Sequence, residues 1–238
     1  MPVTETTTPS TTAAEADTIL KTKHAAIWAR GDYSRVADEI VGSLGGLLVE
    51  AAGVRAGDVV VDVAAGTGTS ALPAARRGAT VTATDLTPEL LAIARRRAEA
   101  EGLTVRWRTA DAEKMPCDDA EYDTVLSCIG VMFAPHHQTA ADELIRICRP
   151  GGTIGVLSWT PEGFIGQMFA TMKPYAPPPP PGASPAPLWG HADHVRAMFG
   201  DRVTGLVARQ QNLRVERFAT GAEFRDLFKI NYGPTIAV

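Results

Sequence analysis

The sequence predicts an α/β fold in which a doubly wound, mostly parallel sheet lies between layers of helices. Three observations carry this expectation. Asp58-Val59-Val60-Val61-Asp62-Val63 is a short β-branched run, the pattern of a strand buried on both faces. It leads directly into a glycine-bearing turn, Ala64 to Gly68, and then into a helical pattern. Beyond it, strand-like and helix-like segments alternate as far as Trp159, the order expected of parallel strands joined by right-handed crossovers.

Each element has its own signal. Met1 to Thr12 is rich in Thr and Pro and reads as a disordered tail. Ala13 to Arg30 carries apolar residues at helical spacing and breaks at Gly31-Asp32-Tyr33. Ser34 can cap a second helix that runs to about Ala52 and stops at Gly53. After the first strand and its turn, Ser70 to Arg77 is helical and Ala79 to Thr84 is a second strand. Thr87-Pro88-Glu89 places an N-cap, a first-turn proline and a dipole-compensating acid at the start of a helix ending near Gly102. Thr104 to Thr109 and Tyr122 to Ser127 are the third and fourth strands. His136 to Cys148 is a helix stopped by Pro150-Gly151-Gly152, and Thr153 to Trp159 is the fifth strand. Pro161 to Lys173 is helical. Eight of the 17 prolines then fall between Pro174 and Pro187, a surface polyproline connector. A short helix near His191 to Phe199, two strand-like runs (Val203 to Ala208 and Asn212 to Phe218) and a helix over Gly221 to Tyr232 complete the chain.

Composition narrows the function classes. The chain has 238 residues, 45% hydrophobic, and only 3 cysteines, which excludes a disulfide scaffold and a wholly disordered chain. Cys117, Cys128 and Cys148 have no metal-binding spacing. A net charge of −4 argues against a nucleic-acid binder. No apolar run is long enough for a membrane span, and the N-terminus has no export-signal pattern, so a reducing cytoplasmic setting is expected.

The chemistry is concentrated in Val61 to Thr69. Glycines in a strand-to-helix turn let the backbone approach a ligand closely, and the free N–H groups of the turn favour an anionic or carboxylate group. Gly66 to Ala71 also fits the pattern G-x-G-x-x-G/A. Asp85, at the end of the second strand, can accept both hydroxyls of an adenosine ribose. The residues thus point to an adenosine-bearing cofactor, leaving a nicotinamide dinucleotide and S-adenosylmethionine as candidates.

Four motifs resemble the class I S-adenosylmethionine-dependent methyltransferases, in particular the small-molecule group similar to the ubiquinone/menaquinone C-methylases. They are Asp62-Val63-Ala64-Ala65-Gly66-Thr67-Gly68, with Ala64 where a glycine is usual; Asp85; Asp111-Ala112-Glu113-Lys114-Met115-Pro116; and Arg149-Pro150-Gly151-Gly152. The resemblance implies a Rossmann-like class I fold and S-adenosylmethionine as cofactor. It places Asp62, Ala64, Gly66 and Gly68 along the methionyl part, with a Ser127 carbonyl accepting from its ammonium. Asp85 and Leu86 fall at the ribose, and Asp111 and Ala112 at the adenine. Residues 13–53 become a helical lid over a cofactor-binding core of residues 54–160, with Tyr33 near the methionyl end. Residues 161–238 complete the sheet with an antiparallel strand hairpin and close an acceptor pocket, lined by Phe164, Met168, Phe169 and Trp189. Similar proteins continue beyond the position of Val238, so a shortened chain is expected, one that lacks a pocket wall or borrows it from a second subunit as a homodimer.

The acceptor is expected beyond the fourth strand, near Cys128 to Gln138. That loop lacks the Asn/Asp-Pro-Pro-Tyr signature of many exocyclic-amine methyltransferases, and no catechol-type magnesium constellation is present. A metal-independent transfer to carbon or oxygen of a small organic molecule follows, with no nucleic-acid or membrane partner. His136 and His137 are the candidate general bases. Two alternatives stay open: a catalytically silent protein that binds the cofactor, and an NAD(P)-dependent oxidoreductase.

Overall fold

The computed structural model describes residues 12–238, so nearly all of the expected tail lies outside it. Helix α1 (Ala13–Trp28) begins at a reciprocal cap: the Thr12 hydroxyl accepts from the Glu15 N–H, and the Glu15 carboxylate accepts from the Thr12 N–H. The single helix expected over 34–52 is divided into α2 (Tyr33–Val36), a π-helical turn (Ala37–Val41) and α3 (Leu44–Ala51). Gly45 lies where a side chain would meet the Thr69 carbonyl at 1.7 Å, so α3 lies directly against the glycine turn.

The core alternates as the sequence predicts: β1 (Val59–Val63), α4 (Ala71–Arg76), β2 (Thr80–Asp85), α5 (Pro88–Ala100), β3 (Val105–Thr109), β4 (Tyr122–Cys128), α6 (His137–Ile147) and β5 (Cys148–Leu157). The sheet is parallel throughout, in the order β3-β2-β1-β4-β5. Val60, Val61 and Val63 are fully buried, as a strand covered on both faces requires. Strand order reverses between β1 and β4, so a crevice opens at their carboxyl ends. Arg149-Pro150-Gly151-Gly152 lies within the first half of β5, where the pairing with β4 slips between Tyr122 and Thr124.

Beyond β5 come α7 (Phe164–Met172), the proline-rich stretch, α8 (Ala192–Phe199), α9 (Gly221–Asn231) and α10 (Gly233–Ile236). The antiparallel hairpin expected from 203–208 and 212–218 does not form; the described residues there belong to no strand. Leu206, Leu213 and Val215 still pack against the core, so the apolar alternation reports one buried side of an extended chain. Alternation alone does not supply a neighbouring strand to complete a ladder. Among the described residues, no helix is long and apolar enough to cross a membrane.

Both expected catalytic histidines stand at the start of helix α6, His136 as its N-cap and His137 as its first residue, and neither is placed as expected. His137 is buried, with Nδ1 3.0 Å from His194 Nε2 on α8 and the ring beside Trp189; its Nε2 has no hydrogen-bond partner among the described residues. Burial, and then the neighbouring His194, lower its pKa to about 4. The His136 ring turns Nδ1 toward Glu113 Oε2 at 2.9 Å, and its other edge lies beneath Gly182 of the proline-rich stretch.

The His137 shift predicts a pH-dependent stability. Below about pH 6.5 the unfolded imidazole binds a proton that the folded one does not, so this residue costs stability as pH falls from 6.5 toward 4. His137→Asn keeps a polar atom toward His194 and removes that titration. In urea unfolding, the stability difference between wild type and variant should shift toward the variant by about 2 kcal/mol between pH 7 and pH 5. A difference independent of pH would reject the assignment.

Candidate cofactor and acceptor cleft

The glycine turn is shaped from below by two acids. Asp62, wholly buried at the end of β1, accepts from Ser70 Oγ at 3.1 Å and from the Ala71 N–H at 2.8 Å, tying the strand to the start of α4. Burial raises its pKa to about 7 against the pull of those donors. Asp85, at the end of β2, accepts from the Gly66 N–H through one oxygen and from the Thr87 N–H through the other, both at 2.8 Å. Burial pushes its pKa up as well. Between them the chain passes through left-handed backbone at Ala64 (φ 55°), Gly66 (φ 55°) and Gly68 (φ 88°). Ala64 carries a Cβ there, a strain of about 1–2 kcal/mol. Gly130 makes room for it, since a side chain at Gly130 would meet the Ala64 carbonyl at 2.2 Å.

Above this turn lies a cleft open to solvent. Ala64, Gly66, Asp85 and Leu86 line it, as do Asp111 and Ala112 after β3, and Tyr33 from α2. These expected cofactor residues are therefore brought together. A side chain at Gly66 would come within 3.7 Å of the Tyr33 ring, so the missing Cβ leaves a cradle between turn and ring.

Other expected residues stand elsewhere. Asp62, beneath the turn, and Gly68, which packs against Leu72 and Ala94, do not line the cleft. Ser127 is wholly buried, donating to the Val63 carbonyl at 2.7 Å and accepting from the Val131 N–H at 2.9 Å; its neighbour Cys128 faces the cleft instead. Burial pushes the Cys128 thiol up, keeping it protonated. His136 and His137 do not line the cleft. Phe164, Met168, Phe169 and Trp189 do not line it either. Phe164 is exposed beside Phe224, Trp189 is buried beside His137, and Phe169 backs Phe133, which does line the cleft.

Several lining residues escaped the sequence reading. Lys21, His24 and Trp28 recur at i, i+3 and i+7 on α1 and face the cleft together. The spacing was present in the sequence, but only the docked helix shows which face meets the crevice. Trp28 packs edge-on to Tyr33 (5.4 Å), Phe133 (4.7 Å) and Tyr232 (5.5 Å), making one end of the cleft aromatic. Burial lowers the pKa of His24, and no side-chain hydrogen bond holds its ring among the described residues. At the other end, Asp17, Glu113 and His136 bring ligand-type atoms within 4.8 Å of one another, and the Lys21 ammonium bonds to both of these carboxylates.

Residues 60–152 match the family described as methyltransferase domain. An uncharacterized protein of Mycobacterium tuberculosis is 53% identical over 225 residues, covering 94% of this chain and 82% of that protein. The demethylmenaquinone methyltransferase of Thermus thermophilus is 40% identical over 114 residues, covering 46% of this chain and 52% of that enzyme. A solved SAM-dependent methyltransferase from Aquifex aeolicus shares the fold, with a TM-score of 0.51 at 18% identity over 76% of this chain and 87% of that one. In this chain the glycine turn, Asp85 after β2 and Asp111 after β3 open on one cleft. Residues 60–152 are thus a methyltransferase domain, and the chain resembles the class I S-adenosylmethionine-dependent methyltransferases, in particular their ubiquinone/menaquinone C-methylase group.

Proposed function

We propose that this methyltransferase acts on carbon or oxygen of a small, neutral, largely apolar organic molecule, without a metal. The observation that carries the reading is the two-ended cleft: polar and acidic at Asp85 and Asp111, aromatic at Trp28, Tyr33 and Phe133. The residues fit S-adenosylmethionine. Each Asp85 oxygen already takes one backbone donor and keeps capacity for a ribose hydroxyl. Asp111 and Ala112 would hold the adenine, and the cradle at Gly66 the methionyl part. Bound there, the cofactor supplies a methyl group on a sulfonium, and transfer to carbon or oxygen releases one proton from the acceptor.

The chain's own groups order and desolvate the reactants. The aromatic wall excludes water and favours a cation nearby. Acidic groups at the far end, with Lys21 already engaged, disfavour an anionic acceptor. Among the described residues, His24 is the imidazole that lines the cleft; its lowered pKa leaves it neutral at pH 7 and able to take the acceptor's proton. The printed name of the Thermus relative supports a reduced quinone as the kind of acceptor to try first.

Calorimetry tests the cofactor: S-adenosylhomocysteine should bind and NAD should not, and the reverse result would return the chain to the oxidoreductase alternative. Binding without transfer to any of a panel of phenols, quinols and polyketides would instead favour a silent cofactor-binding protein. Asp85→Ala should weaken S-adenosylhomocysteine binding by about 1–3 kcal/mol through lost ribose hydrogen bonds. Unchanged affinity would remove Asp85 from the ribose. With 2-methyl-1,4-naphthoquinol as acceptor, His24→Ala should slow turnover by about 100-fold. A rate retained across pH 6–9 would rule His24 out as the base.

A further inference from the structure

Helix α1 crosses the cleft with little to hold it. None of its described residues is fully buried, unlike helices α3 to α6, each of which buries several. An apolar face normally fastens a helix to a sheet, and α1 has only a weak one. Its C-terminal end is anchored by Trp28 in the aromatic cluster. Among the described residues, the ion pairs that join the helix to the core all run through Lys21 Nζ.

That ammonium is shared among three carboxylates. It reaches Asp17 Oδ2 on its own helix at 2.8 Å, Glu113 Oε2 at 2.9 Å, and Asp111 Oδ2. Only 12% of the Lys21 side chain and 4% of the Glu113 side chain are exposed, so this is not a solvent-screened surface pair. Burial by itself would lower the pKa of Lys21, but its bonds to Asp111, Asp17 and Glu113 outweigh burial and raise it. Glu113 also accepts from the His136 N–H at 2.7 Å and faces His136 Nδ1, and Asp111 Oδ1 accepts from the Glu113 N–H at 2.9 Å. The lid helix, the loop after β3 and the start of α6 therefore meet at one cation. Without it, three carboxylates would face one another with the His136 ring as the nearby side chain that bonds one of them, and α1 would be repelled from the loop.

We propose that Lys21 is a positioning residue for cofactor binding: its ammonium latches α1 onto Asp111 and Glu113, closing the end of the cleft assigned above to adenine, and this ion cluster opens when the cofactor enters or leaves. The proposal rests on that assignment of the cleft. Because Asp111 belongs both to the latch and to the adenine end, Lys21 acts through it and needs no contact with the ligand.

The test compares Lys21→Met and Lys21→Arg with Lys23→Met, which removes the same charge from an exposed position that has no ion pair among the described residues. Two readouts are taken on the full chain: hydrogen exchange along residues 13–28, and S-adenosylhomocysteine dissociation by stopped flow. For Lys21→Met, exchange in α1 should quicken while that in β1 to β5 stays as in wild type, and dissociation should accelerate about tenfold. Lys21→Arg and Lys23→Met should resemble wild type in both. Wild-type exchange in α1 of Lys21→Met would overturn the latch. Faster dissociation without faster α1 exchange would also overturn it, because Lys21 would then be touching the ligand directly. If wild type binds no S-adenosylhomocysteine, the cofactor reading fails on its own, and the α1 exchange comparison still decides whether Lys21 holds the helix.

Discussion

The site depends on two carboxylates bonded to backbone N–H groups under a glycine turn. Asp62 holds the start of α4 and Asp85 holds Gly66, so the chain between β1 and α4 is gripped from both sides. The turn needs this grip because its backbone is left-handed at three positions, one of them alanine. Burying the two acids is unfavourable, as their raised pKa values show, and bonds from the backbone and from Ser70 offset part of that cost. The turn is therefore preorganised before any ligand arrives. Neighbouring elements conform to it: α3 approaches through Gly45, and the loop after β4 approaches through Gly130.

A second constraint acts from above. The sheet supplies the floor and one wall of the cleft, while the roof comes from α1 and α2, which are distant from the motifs in sequence. One end of the roof is fixed by charge and the other by aromatic packing, and these differ physically. The aromatic cluster of Trp28, Tyr33, Phe133 and Tyr232 joins α1, α2, the loop after β4 and the C-terminal helices in one apolar contact. The ion cluster at Lys21 is compact, directional and dependent on every partner staying in place. The roof is thus held by apolar packing at one end and by charge pairing at the other.

The parallel core was legible in the sequence because its signals are local. A β-branched run, a glycine turn and a capped helix each announce themselves within a few residues, and the acids at the ends of β1 and β2 fall where the strand pattern stops. The hairpin expected after β5 was misread because Leu213 and Val215 alternate with exposed neighbours as a strand would. That alternation records which side is buried and carries no information about a hydrogen-bonding neighbour. His137 was misread for a related reason. A histidine at the start of a helix after the fourth strand can face the crevice or the core, and the choice was made by Trp189 and His194, more than fifty residues away in the chain.

The sequence by itself determined the sheet, the glycine turn and the acids that shape it, because backbone geometry and capping are decided by near neighbours. Only the tertiary structure decided which side chains complete the cleft. Lys21, His24 and Trp28 are ordinary residues on an ordinary helix until that helix docks, and Glu113 is an ordinary loop acid until Lys21 and His136 reach it. These roles arise from contacts between segments separate in the chain, set by packing and charge pairing rather than by local propensity.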